Sequence, residues 1–195
     1  MQKLINYLHV ETSWMDDLVM TNILRFLDQK SLIICYSVNP QFQRCTQSLI
    51  KVNWNNFFLA CQQGDRNLIQ WMIEKGANYW NYGLEGACQG GHRKLAEWMI
   101  EKGATYWDYG LYGACRGGHR ELAEWMIEKG ANNWDWGLEG ACRRGHRDLA
   151  EWMIKSGAND WNSGLNGACQ GGQRKLAEWM LVVNFTKYTL EWGTI

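Results

Sequence analysis

The chain has 195 residues, with 20 Lys plus Arg against 20 Asp plus Glu and a formal net charge of zero, so no bulk charge draws it to nucleic acid or an anionic membrane. No apolar run approaches the roughly 20 residues of a membrane span, and the opening MQKLINYLHV lacks the long apolar core and small-residue cleavage site of a secretory signal. Thirteen Trp and 21 Gly against a single Pro point instead to internal repetition, and seven Cys in this setting suggest a reducing, intracellular location.

Residues 15–45 read MDDLVMTNILRFLDQKSLIICYSVNPQFQRC. Val19, Ile23, Leu24 and Leu27 recur at helical spacing. Leu32, Ile33 and Tyr36 mark a second short helix. Asn39-Pro40 opens a third, as an N-cap followed by proline at the first helical position. This pattern resembles the F-box over about residues 15–48, through Asp17, Val19, Ile23, Leu24, Phe26, Leu27, Asp28, Leu32, Ile33, Val38, Asn39 and Phe42. The family's leading Leu-Pro is replaced by Met15-Asp16, and that proline normally helps to seat the adaptor. The resemblance implies that Val19, Ile23, Leu24, Leu27, Leu32, Ile33, Val38 and Phe42 include the residues that dock on a Skp-type adaptor. The competing expectation is that residues 1–52 only cap the array behind them.

Residues 53–185 carry a repeat of period 27. Trp71, Trp98, Trp125, Trp152 and Trp179 keep this step, as do the alanines from Ala60 to Ala168, the cysteines from Cys61 to Cys169 and the glycines from Gly64 to Gly172. A fixed period of this length signifies a solenoid of stacked units. In each unit, Asn or Asp at 81, 108, 135 and 162 suits an N-cap for a first helix, A, over about 82–90 in the second unit. Gly91 then permits a left-handed turn, and a second helix, B, runs from Arg93 to Lys102. Leu95, Ala96, Trp98, Met99 and Ile100 form the apolar stripe of helix B, while Gly76, Gly103, Gly130 and Gly157 end successive B helices. Asn184 replaces that terminating glycine at the end of the array, and residues 186–195 read as a capping tail.

Cys88 and His92, four residues apart among glycines, raise the prospect of a thiolate catalyst or a zinc ligand pair. The period argues against both. Stacked helix pairs stand roughly 8–10 Å apart, whereas a disulfide needs Cα atoms within about 7 Å and zinc needs four ligands at about 2.0–2.3 Å. Asp65 and Gln173 also replace the histidine in the end units. No metal, cofactor or catalytic set is expected, with Cys88 serving as packing and His92 as turn support.

GLEGACQGGHRKLAEWMIEKGA (83–104) resembles the ankyrin repeat. Leu84 and Ala87 stand at the family's first helix, Gly91-His92 at its turn, and Leu95, Trp98, Met99, Ile100, Gly103 and Ala104 at its second helix. The Thr-Pro start is missing, and the unit is six residues short of the usual 33. The shortage falls between Ala104 and Gly110, where the family projects a β-hairpin finger. Target recognition through long fingers is therefore not expected.

Three positions vary while the framework stays constant: Asn55, Tyr82, Tyr109, Trp136, Ser163; Phe58, Glu85, Tyr112, Glu139, Asn166; and Gln62, Gln89, Arg116, Arg143, Gln170. All belong to helix A or its entry, the concave side in ankyrin-type stacks. Tyr, Trp and Arg are enriched in binding hot spots, which makes Tyr82, Tyr109, Trp136, Glu85, Tyr112, Gln89, Arg116 and Arg143 the candidate target-binding residues. Arg93, Arg120, Arg147 and Arg174 accompany Glu on the same helices and read as a solvated turn face rather than a nucleic-acid site. Gly86, Gly113, Gly140 and Gly167 inside helix A, each costing about 1 kcal/mol against alanine, are expected to allow close approach by the neighbouring layer or a ligand.

The sequence thus predicts an all-α protein: a three-helix F-box-like segment at 1–52, five ankyrin-like repeats at 53–185 and a tail at 186–195. By resemblance this is a substrate receptor of a Skp–cullin–F-box ubiquitin ligase, holding a protein target in its repeats. A protein-binding scaffold without a ubiquitin role is the alternative. Short repeats behind an F-box also resemble proteins of giant DNA viruses, which implies action in the cytoplasm or nucleus of a eukaryotic host.

Overall fold

The computed structural model of the chain describes residue 21, residues 24–36 and residues 40–182. Val19, Ile23 and Val38 lie outside the described residues, as do Asn184 and the tail at 186–195. Among those described there is no strand. The helices are α1 (Gln29–Tyr36), α2 (Pro40–Gln47), α3 (Trp54–Gln63), α4 (Arg66–Glu74), α5 (Trp80–Gln89), α6 (Arg93–Glu101), α7 (Trp107–Gly117), α8 (Arg120–Glu128), α9 (Trp134–Arg144), α10 (Arg147–Ser156) and α11 (Trp161–Gln170). Residues 174–182 form α12. The chain divides into two compact units, Met1–Ala60 with Asp65–Asn78, and Cys61–Gly64 with Tyr79–Ile195.

In the first unit, the expected second and third helices of the N-terminal segment are α1 and α2, which pack together. Asp28 starts α1, its Oδ1 accepting from the Ser31 amide at 2.7 Å, and Pro40 stands at the head of α2. Leu24, Leu32, Ile33 and Phe42 are buried to within 2% of full coverage. A polar junction ties this segment to the start of the repeats. Gln29 donates through Nε2 to Leu49 O at 3.0 Å and accepts at Oε1 from Lys51 N at 2.8 Å and Asn56 Nδ2 at 2.7 Å. Asn56, itself buried, also donates to Lys51 O at 2.8 Å.

The second unit repeats one helix pair. α5, α7 and α9 each pack on the B helix that follows, and α5, α7, α9 and α11 pack in sequence. Leu84, Ala87, Ala96 and Met99 are fully buried, and their counterparts Leu111, Ala114, Ala123 and Met126 likewise. Burying a side chain the size of Leu or Met contributes about 1.5–3 kcal/mol, so these rows stabilise the stack substantially.

The N-cap expected at 81, 108 and 135 is corrected by the structure. Helix A begins two residues earlier than expected, at Trp80, Trp107 and Trp134, and these Asn and Asp residues reach forward into the next repeat. Asn81 Oδ1 accepts from Thr105 N and Tyr106 N at 2.9 and 3.1 Å. Asp108 Oδ1 accepts from Asn132 N and Asn133 N, both at 2.9 Å, and Asp135 Oδ1 from Asn159 N and Asp160 N, both at 2.8 Å. Side-chain capping occurs in two repeats, two residues before the expected site. Asn133 accepts from Trp136 N, and Asp160, ahead of the expected cap Asn162, accepts from Asn162 N and Ser163 N, whereas Tyr79 and Tyr106 make no side-chain cap. An oxygen that pairs with free backbone amides was legible; the layer those amides belong to was not.

The glycines inside helix A answer to layer spacing. A Cβ on Gly140 would lie 2.7 Å from Tyr112 O, and one on Gly113 would meet Glu85 O. Gly167 stands in the same relation to Glu139 O. Only a residue without a side chain lets the helix backbones approach this closely. At the turns, Gly118 and Gly145 adopt φ of 80° and 81° and end α7 and α9 in left-handed geometry. Short loops, such as 104–106, join one unit to the next, with no finger.

Candidate functional site

Tyr82, Glu85 and Gln89 recur at i, i+3 and i+7, so they share one stripe of α5. The adjacent stripe carries the glycines that bring the next helix close. This spacing aligns the variable positions of successive A helices side by side. Tyr82 and Tyr109 meet edge to face with centroids 5.7 Å apart, and Tyr109 and Trp136 do so at 5.4 Å. Tyr112 lies 5.9 Å from Trp136. These candidate residues of three successive repeats thus form one aromatic ladder. Tyr106 joins it, 6.1 Å from Tyr109.

Charge is arranged around the rings. Glu85, Tyr109, Tyr112, Trp136 and Glu139 line a cleft of about 280 Å³. The Arg116 guanidinium stands 5.9 Å from the Tyr112 ring centre. Arg143 donates to Tyr112 Oη at 3.3 Å and lies 3.6 Å from Glu139 Oε1. Burial pushes the Glu85 carboxyl up to about 7, the Arg116 charge opposing the shift without cancelling it. Burial also raises the Tyr109 phenol, reinforced by Tyr82 and Glu85. Gln89 is only 7% exposed, and its Oε1 has no hydrogen-bond partner. It belongs to the floor of the ladder more than to its surface. Glu139 was legible as a variable position but is singled out only by the cleft it lines with Glu85.

The Cys–His pair has a structural explanation. Burial pushes the Cys88 thiol up to about 12, the Glu85 charge adding to it, and burial likewise raises Cys142 to about 12. Neither thiol is poised to ionise near neutrality. His92, His119 and His146 precede the B helices without capping them. Instead, His92 Nε2 lies 3.1 Å from Gln62 O of the preceding repeat. The rings of His119 and His146 fill the space beside Gly91 and Gly118, where a Cβ would lie within 2.8 Å of ring carbon. Among the described residues, no cluster of three or more His, Cys, Asp or Glu is placed to hold a metal ion.

The helix B arginines do more than face solvent. Arg93, Arg120 and Arg147 lie 4.7, 4.9 and 4.9 Å over the rings of Trp125, Trp152 and Trp179, one layer on. The same arginines pair with Glu97, Glu124 and Glu151 at 3.3, 2.9 and 2.9 Å. Trp125 is buried, whereas Trp98, Trp152 and Trp179 are half-buried.

At the other end of the chain, Leu24, Leu32, Ile33 and Phe42 of the expected adaptor-docking set occupy the interior, and Leu27 is partly exposed. Phe26, between two members of that set, is 92% exposed. An apolar ring left in solvent within this pattern is a feature the sequence did not single out.

The fold and ladder define a tandem helix-pair repeat protein. A scan against protein-family models finds no match, and a search of curated proteins finds no significant one. Among the described residues no helix is long and apolar enough to cross a membrane.

Proposed function

We propose that the protein is an interaction adaptor: its repeats hold a protein target along the helix A ladder, and its N-terminal segment docks on a Skp-type adaptor, making it a substrate receptor of a cullin-based ubiquitin ligase in a eukaryotic cell. The observation that carries the target-binding half is the ladder itself. Residue types favoured in hot spots occupy the positions the repeat framework leaves free, and Tyr82, Tyr109 and Trp136 make contiguous edge contacts. The adaptor half is supported by the F-box-like pattern and by the exposed Phe26 ring beside the buried Leu24. Cytoplasmic or nuclear residence and a viral source follow from the same resemblance.

Co-expression with a eukaryotic Skp adaptor tests this reading. The two proteins should co-purify, and Val19→Asp combined with Ile23→Asp should abolish the complex. Co-purification indifferent to that double variant, or no complex at all, would leave a protein-binding scaffold without a ubiquitin role.

A further inference from the structure

We infer that the cleft walled by Glu85, Tyr109, Tyr112, Trp136 and Glu139 receives a cationic side chain, a lysine ammonium or an arginine guanidinium, from a segment of the partner protein. This deepens, and rests on, the reading of the repeats as a protein-binding surface; it is independent of the adaptor-docking segment.

The lining residues combine carboxylates with aromatic rings. Two are carboxylates, and three are aromatic rings whose faces carry the negative side of the ring quadrupole. The ring contacts that assemble the ladder hold those faces in place, with Trp136 edge-on to Tyr109 and tilted against Tyr112. A volume of about 280 Å³ falls just under the roughly 300–1,000 Å³ of small-molecule sites, which suits one side chain rather than a cofactor.

The protein's own cations surround the cleft without lining it. Arg143 is engaged by Tyr112 Oη and Glu139, and Arg116 stands over the Tyr112 ring. Burial raises the Glu85 carboxyl, and the Arg116 charge opposes that shift without cancelling it. A cation entering the cleft favours the ionised form of Glu85, stands beside the Glu139 carboxylate and meets the rings of Tyr109, Tyr112 and Trp136. An anionic partner would instead bring its charge against both carboxylates.

The test uses the full chain, isotope-labelled for NMR, titrated with blocked pentapeptides that carry Lys, Arg, norleucine or Glu between flanking glycines. The Lys or Arg peptide should shift resonances around residues 85, 109, 112, 136 and 139, with a Kd on the order of 1 mM. The norleucine and Glu peptides should leave them in place. Comparing Lys with Arg identifies which cation the cleft prefers. Trp136→Ala and Glu139→Gln should each weaken binding at least about fivefold; Glu139→Gln preserves shape and carries the test should Trp136→Ala fold poorly. Equal binding of norleucine, shifts caused by the Glu peptide, or no response to either cation overturns the inference. A protein target held by the repeats yet indifferent to excess Lys and Arg peptides overturns it too, while leaving the protein-binding reading intact.

Discussion

At the scale of single residues, burial and layer spacing decide what each side chain does. Glu85 is the clearest titrating case. Its carboxyl is raised from the ordinary carboxylate range to about 7, burial being the main cause. A carboxyl raised by folding favours the folded state at low pH. Stability from this group is complete below about 4.5, falls as the unfolded chain ionises first, and levels off above about 7. Glu85→Gln should remove that slope and leave the protein more stable near pH 8 by about 1–3 kcal/mol. Urea unfolding of both proteins at about pH 5 and about pH 8 checks this; an unchanged slope would refute the burial argument. Gly113 gives an opposite-signed case. Alanine there gains about 1 kcal/mol of helix propensity but drives a methyl onto Glu85 O, which belongs to backbone and cannot swing away. Overpacking of this kind costs about 1–3 kcal/mol, so Gly113→Ala should lower the thermal midpoint. A rise in the midpoint would show that the layers can separate freely. That these glycines permit close approach was legible, because glycine is otherwise unfavourable within a helix. That Glu85 is half-desolvated was not, since it depends on what the next layer places over it.

At the scale of elements, each helix pair is joined to the next by contacts that one-dimensional patterns assign to the wrong partner. Asp108 looked like the cap of its own helix and instead holds the amides of Asn132 and Asn133. Asp108→Ala should therefore cost about 1–3 kcal/mol and raise amide exchange at residues 132 and 133 more than at the start of α7. Faster exchange confined to α7 would restore the capping role. His92 likewise belongs to the turn before it through Gln62 O. Helix B was readable almost to the residue because Gly103, at φ +115°, stops it in a conformation few other residues adopt. The same glycine pattern made the turns legible. In the first unit, Gln29 and Asn56 hold the junction between the N-terminal helices and the first repeat. Gln29→Ala strips Asn56 Nδ2 of one acceptor and should destabilise by about 1–3 kcal/mol, seen as a lower denaturation midpoint. A neutral result would mean that water replaces the bond without cost.

Across the whole molecule, the period of 27 fixed the expected architecture before any contact was known, since Trp71 through Trp179 and Cys61 through Cys169 cannot keep step by chance. What the period could not express was the difference between a surface and a floor. Gln89 varies in type yet is buried, whereas Trp136, in the same ladder, is 38% exposed. The N-terminal segment follows the same logic: Leu32, Ile33 and Phe42 build its interior, and Phe26 is left outside. The central claim is that this segment docks on a Skp-type adaptor while the repeats carry the target. Calorimetric titration of the purified full chain with a purified Skp adaptor, repeated with Phe26→Asp, tests that claim most directly. The account predicts saturable one-to-one binding that Phe26→Asp weakens by at least about tenfold, or about 1.4 kcal/mol, while far-UV helicity is unchanged. No measurable heat from the unaltered chain, or equal binding by the Phe26→Asp protein, would contradict it.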